Sequence, residues 1–269
     1  MRWVCVAILA AAAAVPMTAA SGVEVKVNEA AKRVDVTIDG KPFTSYIWPT
    51  TLKKPVLYPI RTAKGALITR GFPLDPRQGE RVDHPHHVGM WLNHGDVNGL
   101  DFWNNSDAIK AADAPKMGTI YHQKVVDTKS GPDQGELTVE TAWMTPDNKP
   151  LIKETTQFIF RGGADSRTID RITTLTALDQ KVVFRDSKEA FLGMRMTRAL
   201  EQPAEKAEVF TDASGKATPV PVLDNTGVTG KWRDNSMKLV DYRLFRRNLA
   251  NGAHVALGSS AIDFVVLVK

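Results

Sequence analysis

The sequence predicts a mainly β fold, a large antiparallel two-sheet sandwich. Three observations predict it: short stretches of alternating apolar and polar residues, turn-forming residues between them, and no sustained apolar repeat at helical spacing. Val23, Val25 and Val27 alternate with polar neighbours, as do Val34, Val36 and Ile38. Asp39-Gly40 then supplies a tight turn, so a hairpin opens the folded part. The alternation returns in Leu137, Val139, Thr141 and Trp143 and, after Pro146-Asp147-Asn148, in Ile152 to Phe160. Gly162-Gly163 separates these from Ile169 to Leu178 and a short stretch from Val182 to Phe184. Strands with one apolar face bury it most simply against a second sheet.

The region from Thr50 to Gly118 is different. It is dense in Pro, Gly, His, Trp and Asn with little alternation, which suits long loops on a rigid scaffold, where binding groups collect. Ser106 to Pro115 reads as one short helix or a surface loop.

The first twenty residues have the parts of a secretory signal: Arg2, an apolar run from Val4 to Val15, and small residues before Ser21. Cleavage is expected after Ala20, leaving 21–269 as a single β-rich domain in the periplasm or outside the cell. The apolar run is shorter than the roughly 20 residues that cross a bilayer, and no later segment is longer, so no membrane span is expected. The only cysteine, Cys5, lies in the leader, which excludes disulfides, zinc-thiolate sites and a cysteine nucleophile from the remainder. Lys and Arg total 35 against 30 Asp and Glu; without Arg2 the excess falls from +5 to +4 and is spread along the chain. Nucleic acid or a membrane surface as partner would call for a basic patch. A phosphate-binding glycine loop and a Gly-x-Ser-x-Gly elbow are both missing, which disfavours kinase, dehydrogenase and esterase chemistry.

Four of the six histidines, His84, His86, His87 and His94, fall between Asp83 and Trp103. The same stretch holds Asp96, Asn98, Asp101, Trp91 and Trp103, a mixture that suits a polar organic ligand such as a sugar. Imidazole titrates near pH 6.5, and a neighbouring carboxylate fixes its tautomer. His86, His87 or His94, with Asp96 or Glu189, are therefore the candidate acid/base groups. A divalent metal held by His84 and His86, or by His86 and His87, with His94 and a carboxylate such as Asp96 completing the set, is an alternative use of the same residues.

The segment resembles a family of uncharacterised bacterial secreted proteins that carry the label PmoA-like, or "methane oxygenase PmoA". The resemblance rests on His84-Pro85-His86-His87, on His94-Gly95-Asp96-Val97-Asn98-Gly99 and on Asp101-Phe102-Trp103. Tyr58-Pro59-Ile60-Arg61, Thr69-Arg70, Asp186-Ser187-Lys188-Glu189 and Gly193-Met194-Arg195-Met196 extend it over about Tyr46 to Arg198. It implies partnership with sugar oxidoreductases and glycoside-processing proteins. Methane oxidation is set aside, because particulate methane monooxygenase is a membrane enzyme. From about residue 233 the chain departs from the family pattern: after Gly230-Lys231-Trp232 it lacks the Asp-His-Pro and Pro-Thr-x-Trp motifs and ends on the strand-like Ile262 to Val268.

Glu189, Phe191 and Arg195 share one side of a period-two stretch from Lys188 to Arg198, and Glu140 and Glu154 sit on adjacent expected strands as a possible carboxylate pair. By analogy with aldose mutarotases, the sandwich is expected to be of the supersandwich kind, with a His and a Glu acting on a sugar in an open cleft. His87 or His94 would be the acid and Glu189 the base. Arg70, His84, Asn98, Asp101, Trp103 and Arg195 would position a small-molecule or oligosaccharide ligand. The leading expectation is a carbohydrate-active lyase, hydrolase or epimerase with no certain cofactor; a non-catalytic glycan-binding protein and a metal-centre protein are the alternatives.

Overall fold

The computed structural model describes residues 21–230, so the expected leader at 1–20 and the atypical stretch from 233, with Ile262 to Val268, lie outside the described residues. Ten strands form two antiparallel sheets: β1 (Val23–Asn28), β2 (Arg33–Ile38), β3 (Lys41–Ile47), β4 (Val56–Leu57), β5 (Met90–His94), β6 (Thr119–Lys129), β7 (Gln134–Met144), β8 (Pro150–Gly162), β9 (Arg167–Ala177) and β10 (Ala190–Met194). The first sheet runs β1-β2-β3-β4-β5-β10 and the second β6-β7-β8-β9. The two-sheet fold expected from the alternation is therefore present. Among the described residues the only helical elements are three-residue 3-10 turns, and no helix is long and apolar enough to cross a membrane.

Asp39 and Gly40 both have positive φ, 51° and 71°, the conformation a two-residue turn needs to match strand twist, and they join β2 to β3 with Ile38 opposite Lys41. Along β7 every second residue is buried, so one face of the second sheet is apolar throughout. Val34, Val36 and Ile38 from the first sheet meet Leu137, Val139, Phe158 and Phe160 from the second, with Phe43 and Tyr46 between them. At roughly 1.5–3 kcal/mol per buried large aliphatic or aromatic side chain, this interlayer core is the main stabilising feature.

One expectation needs correction: Val182 to Phe184 is not a strand and holds only single bridging contacts, such as Phe184 with Val97. Of the two forms expected for Ser106 to Pro115, the loop is found, a run of turns leading into a 3-10 turn at Ala114–Lys116, because Pro115 and the small polar residues favour local turns. Strand β6 is an addition to the expected strands; its register shifts between His122 and Lys124 and again between Val125 and Asp127, which interrupts any period-two pattern.

Candidate functional site

Between β4 and β5 the chain runs from residue 58 to 89 without a strand, and the end of this loop carries the first three histidines. Its shape is set by Arg70, whose side chain is completely enclosed. The guanidinium donates to the Asp83 carboxylate and to the carbonyls of Arg81 (3.2 Å), His84 (3.0 Å) and His87 (3.2 Å). A rigid fork with five donors can close a loop this way where a single ammonium cannot. Arg195, just past β10, donates to the same Asp83 oxygen at 2.7 Å and pairs with Glu201 at 3.2 Å. Glu201 in turn pairs with Arg81 (3.1 Å) and Arg198 (2.9 Å). Burial alone would raise the Asp83 carboxyl. The Arg195 charge, the His84 hydrogen bond and Arg70 outweigh it and hold the group well below the usual carboxylate range. Burial, with Arg195 alongside, draws Arg70 down to about 10, which still leaves it charged at neutral pH.

On this frame the imidazoles form a column. The His84 ring stacks on His87 (centroids 4.9 Å, planes 5° apart), His87 stacks on Trp91 (5.1 Å), and His86 meets His87 edge to face at 4.3 Å. Trp91 lies flat against β10 because its partner there is Gly193, where a Cβ would come within 2.4 Å of the indole. The Trp103 Nε1–H donates to His87 Nε2 at 3.1 Å, so that nitrogen carries no proton of its own. Burial and the neighbouring His86 push His87 down to about 2; burial and Lys54 push His86 down to about 4. Both are neutral imidazoles at physiological pH.

His84 stands at the open end of the column. Its side chain is 54 % exposed, and its Nδ1–H donates to Asp83 Oδ2 at 2.8 Å, leaving Nε2 toward solvent. Its backbone is left-handed, with φ of 42°, a conformation that costs of order 1–3 kcal/mol in a residue with a side chain and persists only where the surroundings enforce it. Here the Arg70 bond to the His84 carbonyl does so.

Sequence reasoning passed over Lys54. Its ammonium is buried, donates to the His86 carbonyl at 2.7 Å and lies 5.2 Å from the Trp91 ring. Burial pulls it down to about 7, against the opposing attraction of Asp101. A double-lysine pair before a proline carries no pattern that separates a buried lysine from its exposed neighbour, so no sequence signal was available.

The remaining expected site residues stand elsewhere. His94 pairs with Ala190 at the far end of β5, about 13 Å along the strand from Met90 at 3.3 Å per residue. Its ring is packed between Phe184 (5.4 Å) and Phe191 (5.0 Å), and its Nδ1 accepts from the Asp96 N–H at 3.0 Å. Asp96 accepts from Gly99 N–H and Arg185, and Glu189 faces Lys188 at 3.5 Å. Asn98, with φ of 54°, donates to the Lys181 carbonyl and accepts from Val183 N–H, stapling two loops. Asp101 accepts from the backbone N–H groups of Trp103 and Asn104. The expected His87–Glu189 acid/base pair is thus not formed. Phe191 takes a positive φ of 51°, which breaks the alternation that was to put Glu189 and Arg195 on one face, and the two end up at opposite ends of β10. Arg70 and Trp103 are also displaced from ligand contact: Arg70 is enclosed, and Trp103 is only 7 % exposed and anchors His87.

The carboxylate pair is absent as well. Thr141 is opposite Glu154 and Thr155 opposite Glu140, so the two glutamates are one register step apart and point to opposite faces. Glu140 binds Lys124 and Lys153 at the surface; Glu154 is buried with Trp143, Thr156 and Arg171. Nor do three His, Cys, Asp or Glu side chains converge in a metal-holding arrangement among the described residues. Two cavities adjoin these groups, one lined by Tyr46, Thr141, Glu154 and Arg171, the other by Lys54, Pro85, His86 and Asn105. Each leaves about 10 Å³ for a water-sized body, room for one water and no sugar ring.

The fold and this loop define a class: a two-sheet β-sandwich whose long β4–β5 connection carries an arginine-clamped histidine column. Residues 33–242 match the model of a family of unknown function, DUF6807, and the chain belongs to that family. No curated protein and no solved structure matches it significantly.

The column makes stability depend on pH. An unfolded histidine takes up its proton near pH 6.5, whereas the folded His86 and His87 refuse it until about 4 and about 2. The unfolded state therefore binds more protons, and stability falls as the pH drops below about 6.5, through about 4 for His86 and further for His87. The limiting slope is about 1.4 kcal/mol per pH unit for each histidine. Urea midpoints measured at pH 7.5, 6.5, 5.5 and 4.5 are expected to decline across the last three; a flat profile would contradict part-buried imidazoles held neutral.

Proposed function

We propose that the chain is a secreted carbohydrate-active protein that performs acid/base chemistry on a sugar or glycoside, with His84 as the proton-transfer group and Asp83 as the carboxylate that orients it. The supporting observation is the 2.8 Å His84–Asp83 hydrogen bond on an imidazole that is half exposed while the rings behind it are not. An ionised carboxylate on Nδ1–H fixes the tautomer, so Nε2 presents its lone pair and can take a proton from a hydroxyl or a C–H beside a carbonyl and return it. His87 is unsuited to the role, because its Nε2 lone pair is taken up by Trp103 and burial keeps the ring neutral. The assignment differs from the sequence expectation in moving the proton-transfer role from His87 or His94 to His84.

The test begins with a panel of aldoses, uronic acids and aryl glycosides offered to the purified protein. On any compound turned over, His84→Gln is expected to lower kcat about 10²-fold with an unchanged fold, the low end of a general acid/base contribution. Glu189→Gln is expected to leave kcat within twofold. Full turnover by His84→Gln would remove His84 from the chemistry.

A further inference from the structure

Two adjacent lysines at the edge of the histidine loop are treated differently by the fold. Lys53 points outward and pairs with Asp107 at 2.5 Å. Lys54 points inward, is 5 % exposed, and among the described residues has no carboxylate within ion-pairing distance. Among the described residues its partners are one backbone carbonyl, that of His86, and the face of Trp91. An ammonium has three donors, and taking it out of water without an anion is costly, so an inward lysine with a single carbonyl partner is poorly stabilised as a cation. The cavity that Lys54 lines is also lined by His86, whose Nε2 is buried without a hydrogen-bond partner, and by Thr51, Pro85, Asn105 and Ser106. Two nitrogen groups that lack full partners thus border one small space.

We infer that Lys54 is a nucleophilic amine that condenses with the carbonyl of a small aldehyde or ketone, or of the open-chain form of a sugar. The inference rests on the carbohydrate reading only for the last of these substrates. The nitrogen lone pair of Lys54 adds to the carbonyl carbon, the C=O π pair moves to oxygen, and that oxygen takes up the proton that nitrogen gives up. Loss of water then leaves the imine. The cavity has room for one water, which a carbonyl carbon with its oxygen exceeds, so the residues at its mouth must give way and only a compact carbonyl end reaches the nitrogen. The proton transfer between nitrogen and oxygen is assigned to His86 Nε2, which is buried without a hydrogen-bond partner on a residue that lines the same cavity. Burial also keeps a large share of the amine unprotonated near neutral pH, which the addition requires.

The test treats the folded full chain with D-glyceraldehyde and sodium cyanoborohydride, which delivers hydride to the C=N bond and fixes the imine as a secondary amine, and then maps modified lysines by peptide mass. Lys54 is expected to reach at least tenfold higher occupancy than the surface lysines Lys124, Lys149 and Lys188, which face Glu140, Asp147 and Glu189. In urea the preference is expected to vanish. Modification of the surface lysines with Lys54 untouched would overturn the inference. The outcome is separable from the proton-transfer reading: His84→Gln is expected to keep Lys54 labelling while losing turnover. Loss of turnover in that variant with no labelling of Lys54 in either chain would leave the His84 role standing and end this one.

Discussion

Replacing Arg70 by Met is expected to cost about 3–5 kcal/mol of folding stability, the range for removing one partner of a buried ion pair. The side chain is fully enclosed, so nothing from solvent can take its place. Its loss would strand the carbonyls of Arg81, His84 and His87 and leave the Asp83 carboxylate with Arg195 and His84 alone. Arg70→Lys keeps the charge but not the fork. It is expected to recover part of the loss, because one ammonium cannot reach the carboxylate and three carbonyls at once. The measurement is urea unfolding of the three proteins, with near-ultraviolet circular dichroism reporting on Trp91, which the histidine column covers. A loss below about 1 kcal/mol for Arg70→Met would mean that the loop holds its shape by other contacts. The left-handed turn at His84 would then need another explanation.

The same residues show how far the sequence could be read. Strands β2, β7 and β8 announce themselves because every second residue along most of their length is buried, and that asymmetry is a period-two pattern; β1 shows it at Val23 and Val25 and β9 more weakly, with Leu175 as its buried residue. Strand β5 does not, because both its faces are largely covered: Met90, Trp91, Asn93 and His94 are all buried. The loop was recognisable as chemically unusual from its histidines. Its internal geometry was not, since the determinants are remote in sequence: Arg70 from before the loop's end, Arg195 from after β10, and Glu201 beyond it. On a regular extended strand His84 and His86 would share a face and His87 would point the other way. The positive φ at His84 bends the chain so that His84 stacks on His87 while its ring stays 5.6 Å from that of His86. Asp83 was the adjacent residue throughout, but adjacency carries no information about which carboxylate an imidazole meets.

Glu154 supports a second prediction of similar size, in the core of the second sheet. Glu154→Ala is expected to lose about 3–5 kcal/mol, because the buried carboxylate accepts from Trp143 Nε1 (2.7 Å), Thr156 Oγ1 (2.7 Å) and Arg171 Nη2 (2.6 Å). Arg171 would be left as an inward cation against Phe158, retaining its bond to Thr173. Removing both charges should behave differently. In Glu154→Leu/Arg171→Met the orphaned cation is gone and the side chains fill similar volume, so the double variant is expected within about 1–2 kcal/mol of the parent, with the Trp143 N–H as the principal unsatisfied group. A double-mutant cycle over these positions should therefore show strong favourable coupling. Additive losses would mean that Glu154 acts mainly on Trp143 and Thr156 and that the arginine is incidental. The glycosidic pairing with Glu140 is excluded by geometry rather than by the cycle, because Glu140 is bound to Lys124 and Lys153 on the opposite face of the sheet.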